Sequence, residues 1–293
     1  MLACARTGDD LCDIAGPGCP YTLPIAGRPL IGHAIGSLRD AGVSEVLVVA
    51  GEAIFEDVVA AVGEPDVEIR YSVHADAECE SIALRAAAEA LGPGPVLVHL
   101  ADALLPRGLG EIQAGTARVF TNGDRVVACV LATLPDGSTL SEATKDAERI
   151  ELEGAWKYDA TVDGVLEANR AALDELKRGR IGADLSKASV QGRVSIHPSA
   201  VLDGAKLRGP VFIGPGAVVS ETYIGPYTSI SAGVRLEGVE IEHSIVLPGA
   251  VIRYPGRRIE ASLVGERAQI GRDFSLPSAL RLRVGRGADI QLS

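Results

Sequence analysis

The chain has 293 residues, of which 47% are hydrophobic and only 4% aromatic, and it contains 34 glycines and 16 prolines. This length allows two domains of ordinary size, and the composition favours short strands and many turns over long helical bundles. A total of 39 acidic against 28 basic residues gives a net charge of −11, which repels nucleic-acid phosphates and anionic lipids. Nucleic acid and membranes are therefore not expected as partners.

The N-terminus and the cysteines bear on the cellular compartment. No apolar run approaches the roughly 20 residues that a membrane span needs, and Asp9 and Asp10 interrupt the N-terminus before a signal-peptide core develops. The cysteines form no CxxC pair, and they are scattered at Cys4, Cys12, Cys19, Cys79 and Cys129. Reduced thiols are therefore favoured over a disulfide framework or a zinc site. The sequence predicts a cytoplasmic protein with no cofactor and no bound metal.

The first half alternates between helical and strand patterns. An amphipathic helix is predicted to begin at Pro29 and to stop at Gly42. Further helical stretches cover Ala53–Val62 and Ser81–Leu91, and short apolar runs cover Val46–Ala50, Val96–Leu100 and Val126–Leu131. Runs that are apolar on both faces and separated by helices indicate a parallel sheet covered on both sides. Residues 1–160 are thus predicted to form a three-layer α/β domain.

The second half follows a different period. Helical spacing from Val162 to Leu176, which includes Asn169, predicts a connecting helix in residues 161–181. Beyond it an aliphatic residue, often followed by Gly, recurs every sixth position: Ile213-Gly214, Val219, Ile224-Gly225, Ile230, Leu236, Val264-Gly265, Ile270-Gly271, Val284-Gly285 and Ile290. This hexad is typical of a left-handed parallel β-helix, which is predicted for residues 182–293. An irregular, glycine-rich β-sandwich is the alternative.

Four segments carry a resemblance to one enzyme family. They are Leu23–Leu30 (LPIAGRPL), Leu97–Ala103 (LVHLADA), Trp156–Arg170 (WKYDATVDGVLEANR) and Gly209–Ile252. The first three resemble, in sugar-1-phosphate nucleotidyltransferases, the segment after the catalytic loop, the metal-binding strand end and the "W-K-D-T-G … L-E-x-N-R" segment. The fourth is similar, nearly residue for residue, to the β-helix of long-form glucose-1-phosphate thymidylyltransferases. The resemblance implies attack of a sugar phosphate on a nucleoside triphosphate, aided by backbone amides, basic side chains and Mg²⁺.

The phosphate-binding loop departs from that family's pattern. Cys4-Ala5 replaces a glycine pair, and Asp9-Asp10 stands where the family places an arginine. Added Cβ atoms obstruct the approach of phosphate to the backbone, and carboxylates repel it. The family's lysine falls on Pro20. Arg6 is a candidate substrate-binding substitute, with a solvated loop arginine as the alternative.

The metal site of the family is also incomplete. The resemblance implies two aspartates, of which Asp102 matches the first while Tyr158 replaces the second. A phenol cannot replace a carboxylate as a ligand of a hard cation. Asp159 lies one residue later, and a one-residue slip in a strand points to the opposite face. Lys157 and Asp159 remain candidate substrate-binding residues.

Base and sugar recognition departs from the family as well. Ungapped alignment puts Ala77–Glu80 on the family's Pro-Leu-Gly-Leu, so that its glycine becomes Cys79. The stretch between Val130 and Trp156 is too short for the strands and helix that build the family's sugar-binding lobe. Nucleotidyl transfer is therefore expected to be lost, although residual transfer stays an alternative.

The first hypothesis is a repurposed catalyst or binder that uses the old cleft for a different small molecule. Its candidate catalytic residues are Asp102, Tyr158, Glu80, Glu78, Cys79 and His99. Carboxylates, histidine and tyrosine can do acid–base work, and a cysteine beside a histidine can be nucleophilic. Asp102 and Tyr158 are expected to face each other across the cleft, with a glutamate nearby. The alternatives are a core histidine at position 99 and an inert buried thiol at position 79.

Two other classes remain open. A non-catalytic regulatory or scaffolding subunit is suggested by the contrast between an eroded loop and an intact β-helix, through which a homo-oligomer is expected to form. Hexapeptide acyl transfer would need a histidine on the β-helix, and the candidates are His197 and His243.

Overall fold

The computed structural model describes residues 2–3, 10–16, 18–75, 80–109, 117–134, 139–176 and 182–272. Six α-helices are formed in these ranges: α1 Asp10–Ala15, α2 Leu30–Asp40, α3 Phe55–Val62, α4 Glu80–Leu91, α5 Leu140–Ala143 and α6 Val162–Asp174. The predicted helices at α2, α3, α4 and α6 are present, although residues 52–54 form a 3₁₀ turn ahead of α3. None of the described helices is long and apolar enough to cross a membrane.

Eleven strands belong to the first half of the described chain. They are β1 Leu2–Ala3, β2 Pro24–Ile25, β3 Arg28–Pro29, β4 Glu45–Gly51, β5 Glu68–His74, β6 Val96–Leu100, β7 Ala103–Leu104, β8 Arg118–Asn122, β9 Arg125–Leu131, β10 Glu148–Glu151 and β11 Trp156–Lys157. Seven of them form one sheet in the order β10-β8-β9-β6-β1-β4-β5. The remaining four form two antiparallel pairs, β2 with β3 and β7 with β11.

The large sheet is mixed, so the expectation of a parallel sheet is wrong at one strand. β1 pairs in parallel with β4 and with β6, but β9 runs antiparallel to both β6 and β8. The reason is the tight connection from β8 to β9, in which Gly123 has a φ of +57°. So short a loop can join only antiparallel neighbours. An apolar run such as Val126–Leu131 has the same residue pattern in either direction.

The three layers follow from the alternation of side chains along β4. Val46, Val48 and Ala50 pack with α2 and α3 on one face, whereas Leu47 and Val49 pack with α4 on the other. Both faces of the strand are therefore covered, as the continuous apolar run predicted.

The second half is a parallel β-helix of five coils. Fifteen short strands build it: β12 Ala188–Gln191, β13 Val194–Ile196, β14 Val201–Asp203, β15 Ala205–Arg208, β16 Val211–Ile213, β17 Val218–Ser220, β18 Tyr223–Ile224, β19 Thr228–Ile230, β20 Arg235–Glu237, β21 Glu240–Glu242, β22 Ile245–Val246, β23 Val251–Arg253, β24 Ile259–Glu260, β25 Leu263–Val264 and β26 Gln269–Gly271. They form three parallel sheets of five strands, one for each side of the coil.

Aliphatic side chains stack from coil to coil inside this β-helix. Along one sheet Ile196 pairs with Ile213, which pairs with Ile230, and the stack continues through Val246 to Val264. All five are buried. Most hexad members are therefore core positions, and burial of these side chains holds the coils together. Ile270, a predicted member in the last described coil, is an exception and is 37% exposed. Val284 and Ile290, the last predicted members, lie outside the described residues.

The two domains meet along a surface that we call the seam, formed by the β2–β3 hairpin, α6 and residues 212–247. Asn169 of α6 is fully buried there. Its Oδ1 accepts hydrogen bonds from the Ala26 N–H at 2.9 Å and from the Ser229 hydroxyl at 2.7 Å, and its Nδ2 donates to the Tyr227 carbonyl at 3.1 Å. One side chain thus ties the hairpin, α6 and the β-helix together.

Candidate functional site

The candidate site lies at the carboxyl end of β6, the edge of an α/β sheet where ligands usually bind. Asp102 follows β6 directly, and Lys157 lies on β11, whose partner strand β7 begins at Ala103. The Asp102 Oδ2 is 3.9 Å from the Lys157 Nζ, and each side chain is 23% exposed. The Lys157 ammonium also donates a hydrogen bond to the Val126 carbonyl at 3.3 Å. Asp102 therefore has a side-chain cation as its neighbour.

The surroundings of Asp102 act on its charge in opposite directions. Burial raises the pKa of its carboxyl group above the ordinary value, while Lys157 and, more weakly, Arg125 lower it. The burial effect is the largest, so the net direction is upward. The positive charge of Lys157 offsets part of the free-energy cost of burying the charged Asp102 carboxylate at the end of β6.

Tyr158 occupies a different environment from Asp102, although the two are adjacent through their backbones. The Tyr158 N–H donates to the Asp102 carbonyl at 2.9 Å. The Tyr158 side chain is only 7% exposed and packs in the core cluster that contains Leu104 and Val165. Its hydroxyl is 3.8 Å from the Cys19 sulfur, and its ring meets that of Trp156 edge to face.

The expected juxtaposition of the Asp102 and Tyr158 side chains across a cleft is therefore not what the structure shows. The carboxylate meets Lys157, whereas the phenol is packed into the seam. Burial of a large aromatic ring among aliphatic neighbours stabilises this arrangement, and a hydroxyl at the ring's end can still find a polar partner there. A carboxylate at the same position would gain nothing from that apolar surrounding.

His99 is buried inside the sheet. It is 0% exposed, its Nδ1 is 2.8 Å from the Leu100 carbonyl, and its Nε2 has no hydrogen-bond partner in the described structure. Burial lowers its pKa to about 4, while the contact with the Leu100 carbonyl acts in the opposite direction. The ring is neutral at pH 7 and out of reach of a ligand in this conformation, which agrees with the core-histidine alternative.

Asp159 organises the start of α6. Its Oδ1 accepts hydrogen bonds from the Thr161 N–H at 3.1 Å and from the Thr161 hydroxyl at 2.8 Å. Thr161 in turn is the N-cap residue and accepts the Gly164 N–H at 2.9 Å. These bonds satisfy donors that the first turn of a helix leaves free, so they account for Asp159 without a ligand.

The remaining candidates are placed as follows. Arg6, Glu78 and Cys79 lie outside the described residues, and of Glu80 only the backbone, at the start of α4, is described. His197 lies in an exposed turn of the β-helix, where its Nδ1 is 2.8 Å from the Ser199 hydroxyl. His243 packs against the Tyr227 ring at 5.3 Å between centroids.

The described residues do not fit a magnesium ion. None of the His, Cys, Asp and Glu side chains in the described ranges forms a group of three that could hold a metal. Asp102 has an ammonium group for a neighbour, and Tyr158, the replacement for the second carboxylate, is turned into the seam. Mg²⁺ requires oxygen ligands, usually including one or two carboxylates.

One contact and one residue of this region were not identified from the sequence. The pairing of Lys157 with Asp102 was missed, although Lys157 had been a binding candidate. Cys19 was noted only as a scattered thiol, yet it is buried and contacts the Tyr158 hydroxyl. Cys19 directly precedes Pro20, the position at which the family resemblance implies a lysine. This was the available signal.

Comparisons with known proteins bear on the family to which the chain belongs. Residues 20–133 match the family model described as a MobA-like NTP transferase domain. Glucose-1-phosphate thymidylyltransferase of Streptomyces antibioticus is 34% identical over 147 residues, which cover 50% of this chain and 41% of that protein. Low-salt glycan biosynthesis nucleotidyltransferase Agl11 of Haloferax volcanii is 29% identical, over all of this chain and 99% of that protein. Bifunctional protein GlmU of Burkholderia vietnamiensis is 40% identical, over 90% of this chain and 73% of that protein.

Proposed function

Because this chain belongs to the sugar-1-phosphate nucleotidyltransferase family, we propose that it keeps the family's fold but has lost nucleotidyl transfer, and serves as a non-catalytic, regulatory or scaffolding member. The observation that carries the proposal is the replacement of the metal site. Tyr158 replaces the second aspartate of the family's metal site and packs in the seam, while Asp102 lies 3.9 Å from Lys157, the lysine that the family's W-K-D segment also has. We therefore infer that this chain does not hold the cation on which the family's chemistry depends.

Electrostatics support this proposal. Two unit charges about 4 Å apart interact by about 4 kcal/mol at an effective dielectric constant of 20. A divalent cation bound at Asp102 would bear a repulsion of this order from the Lys157 ammonium, with no second carboxylate at position 158 to offset it. The β-helix with its five described coils, by contrast, supplies an outer surface that a scaffolding subunit needs.

A second candidate is the reuse of the cleft for another small molecule. Asp102 and Lys157 are both partly exposed, so a ligand that both accepts and donates hydrogen bonds could meet them together. On this alternative Lys157→Gln should weaken the binding of such a ligand, whereas Tyr158→Phe, which changes the seam, should not.

The first experiment measures pyrophosphate release by the purified full chain with dTTP, glucose-1-phosphate and Mg²⁺. We expect no release above a reaction without protein, and no affinity for dTTP better than millimolar by isothermal titration calorimetry. Pyrophosphate release, or micromolar binding of dTTP, would show that the family's reaction has been retained and the proposal is wrong.

The second experiment tests the regulatory or scaffolding role. The full chain is mixed with an active glucose-1-phosphate thymidylyltransferase from the same genome, and co-elution in size-exclusion chromatography and the turnover of that enzyme are measured. Co-elution or a changed turnover is expected, and the absence of both contradicts the role. Self-association through the β-helix stays a prediction, which light scattering of the full chain alone would check.

A further inference from the structure

A groove of about 400 Å³ lies between the α/β domain and the β-helix, away from Asp102. We call it the interdomain groove. One wall is the outer side of α3 with Ala60 and Ala61, and the other is formed by the successive coil corners Pro215, Ala232 and Pro248. Small side chains and prolines leave this space open, because neither wall projects long side chains into it.

The body of the interdomain groove is apolar. Phe212 and Leu247 of the β-helix line it together with Pro24 and Pro29 of the β2–β3 hairpin. The Phe212 ring packs directly against Gly27, where an added Cβ would collide with it. The base of the groove is therefore closed by tight packing, and it offers a hydrophobic surface to a small organic molecule.

One end of the interdomain groove carries negative charge. Asp57 and Glu266 line it, from α3 and from the last described coil respectively. They border one short turn: a Cβ built on Gly18 would lie 2.8 Å from the Asp57 Cβ, and one built on Gly16 would lie 3.5 Å from the Glu266 Oε2. Residues two apart in the chain are at most about 7 Å apart, so both acidic residues belong to the same end.

The two carboxylates differ in their availability. Glu266 forms an ion pair with Arg267 at 2.8 Å on the surface, whereas no lysine or arginine of the described chain pairs with Asp57. Among the described residues that line the interdomain groove there is no lysine or arginine. An anionic ligand would therefore meet only repulsion here, while a cation would meet Asp57 with Glu266 behind it.

We propose that the interdomain groove binds a small organic cation, in which a protonated amine lies at Asp57 and an apolar body lies along Phe212 and the proline-lined walls. Such a ligand would contact both domains at once. Because it would touch the β2–β3 hairpin and the β-helix together, its binding would stabilise their mutual arrangement. The site is separate from the sheet edge at Asp102, so it does not depend on what happens in the old cleft.

The test uses three probes of nearly equal size on the full chain: 2-phenylethylamine, 2-phenylethanol and 3-phenylpropanoate. Ligand-observed NMR titration gives each Kd. The amine is expected to bind about tenfold or more tightly than the neutral alcohol, and the carboxylate is expected not to bind, because a charge-assisted contact at Asp57 distinguishes them.

Two variants and a matched control locate the site. Asp57→Asn should weaken amine binding about tenfold and leave the alcohol unchanged, and Ala60→Trp should abolish binding of both by filling the groove. Glu56→Gln removes an exposed carboxylate from the same helical turn but not from the groove lining, and it should change nothing. Circular dichroism verifies that each variant is folded. Equal binding of amine and alcohol, or an equal loss in Glu56→Gln and Asp57→Asn, overturns the proposal.

Discussion

Two fully buried polar side chains, His99 and Asn169, show how differently the sheet edge and the seam use polar groups. Asn169 makes three hydrogen bonds, one to the β2–β3 hairpin and two to the β-helix. His99 contacts only the carbonyl of its own neighbour Leu100, and its Nε2 is left without a partner. An unsatisfied buried polar atom costs free energy, whereas a satisfied one fixes geometry.

The comparison teaches where the chain is constrained. At the seam, polar groups specify how the hairpin, α6 and the β-helix fit together. At the sheet edge, a histidine without a full set of partners and a carboxylate paired with Lys157 are compatible with the fold but are not required by it. Among the described residues, the hydrogen bonds of the seam therefore constrain the architecture more tightly than the polar groups at the end of β6 do.

The largest expected effect is at Asn169. Asn169→Ala leaves the Ala26 N–H, the Ser229 hydroxyl and the Tyr227 carbonyl without their partner, and each orphaned buried group costs about 1–3 kcal/mol. We expect a loss of about 4 kcal/mol in the free energy of unfolding, measured by urea denaturation. Glu167→Gln, on the exposed side of the same helix, is the control and should change stability by less than about 0.5 kcal/mol. Comparable losses of stability in the two variants would show that the hydrogen bonds of Asn169 do not specifically stabilise the seam.

The second-largest effect is expected on acidification, which should lower the free energy of unfolding through the buried histidines. Burial lowers the pKa of His99, and that of His33, to about 4 from an ordinary 6.5. Between pH 6.5 and 4 these histidines bind protons in the unfolded state but stay neutral in the folded state. Their contribution to stability is therefore fully present above pH 6.5 and is lost as the pH falls towards 4. The free energy of unfolding changes by about 1.4 kcal/mol per pH unit for each histidine, so each of the two contributes about 3 kcal/mol over this window.

The variant His99→Leu isolates one of these two contributions. It also removes the unpaired Nε2, so it should not destabilise the protein strongly at pH 7. Urea denaturation at pH 7, 5.5 and 4.5 should show a shallower loss of stability for the variant than for the wild type. Parallel curves would mean that His99 is not the buried, neutral ring that the structure describes.

The smallest effect is expected from replacing a glycine that packs at the seam with alanine. Gly27 has a φ of +78° and lies against the Phe212 ring, while Gly42 has a φ of +87° and no atom near its missing Cβ. Gly42→Ala should therefore cost only the backbone strain, about 1 kcal/mol. Gly27→Ala adds a steric clash, for which we expect about 2 kcal/mol more by thermal unfolding. Equal costs at the two positions would show that Phe212 can move aside freely.

The sequence predicted the elements whose pattern is local. The periodicity of α2, α3 and α4 and the hexads of the β-helix depend on residues close together in the chain, and the described residues contain these helices and the β-helix coils as far as residue 272. The strands β5, β8 and β10 were not predicted, although β5 has the alternation typical of a half-buried strand, with Ile69, Tyr71 and Val73 between polar residues. The direction of β9 could not be predicted either, since an apolar run has the same residue pattern in a parallel and in an antiparallel strand.

The site was harder to predict because it depends on contacts distant in sequence. In a two-residue strand such as β11 the partner strand and the packing decide which side chains meet, so Lys157 rather than Tyr158 met the Asp102 carboxylate. Asn169 entered the sequence analysis as one position of an amphipathic pattern and as part of the family's L-E-x-N-R segment, with no role assigned to its side chain. An amide among aliphatic residues at helical spacing was the signal that this position makes buried hydrogen bonds.

The ammonium group of Lys157 has a consequence for how this chain responds to its surroundings. A counter-ion attached to the polypeptide cannot be diluted, chelated or exchanged for a competing ion. On the proposed loss of the metal site, the positive charge beside Asp102 is supplied by the fold itself and does not depend on the concentration of free magnesium.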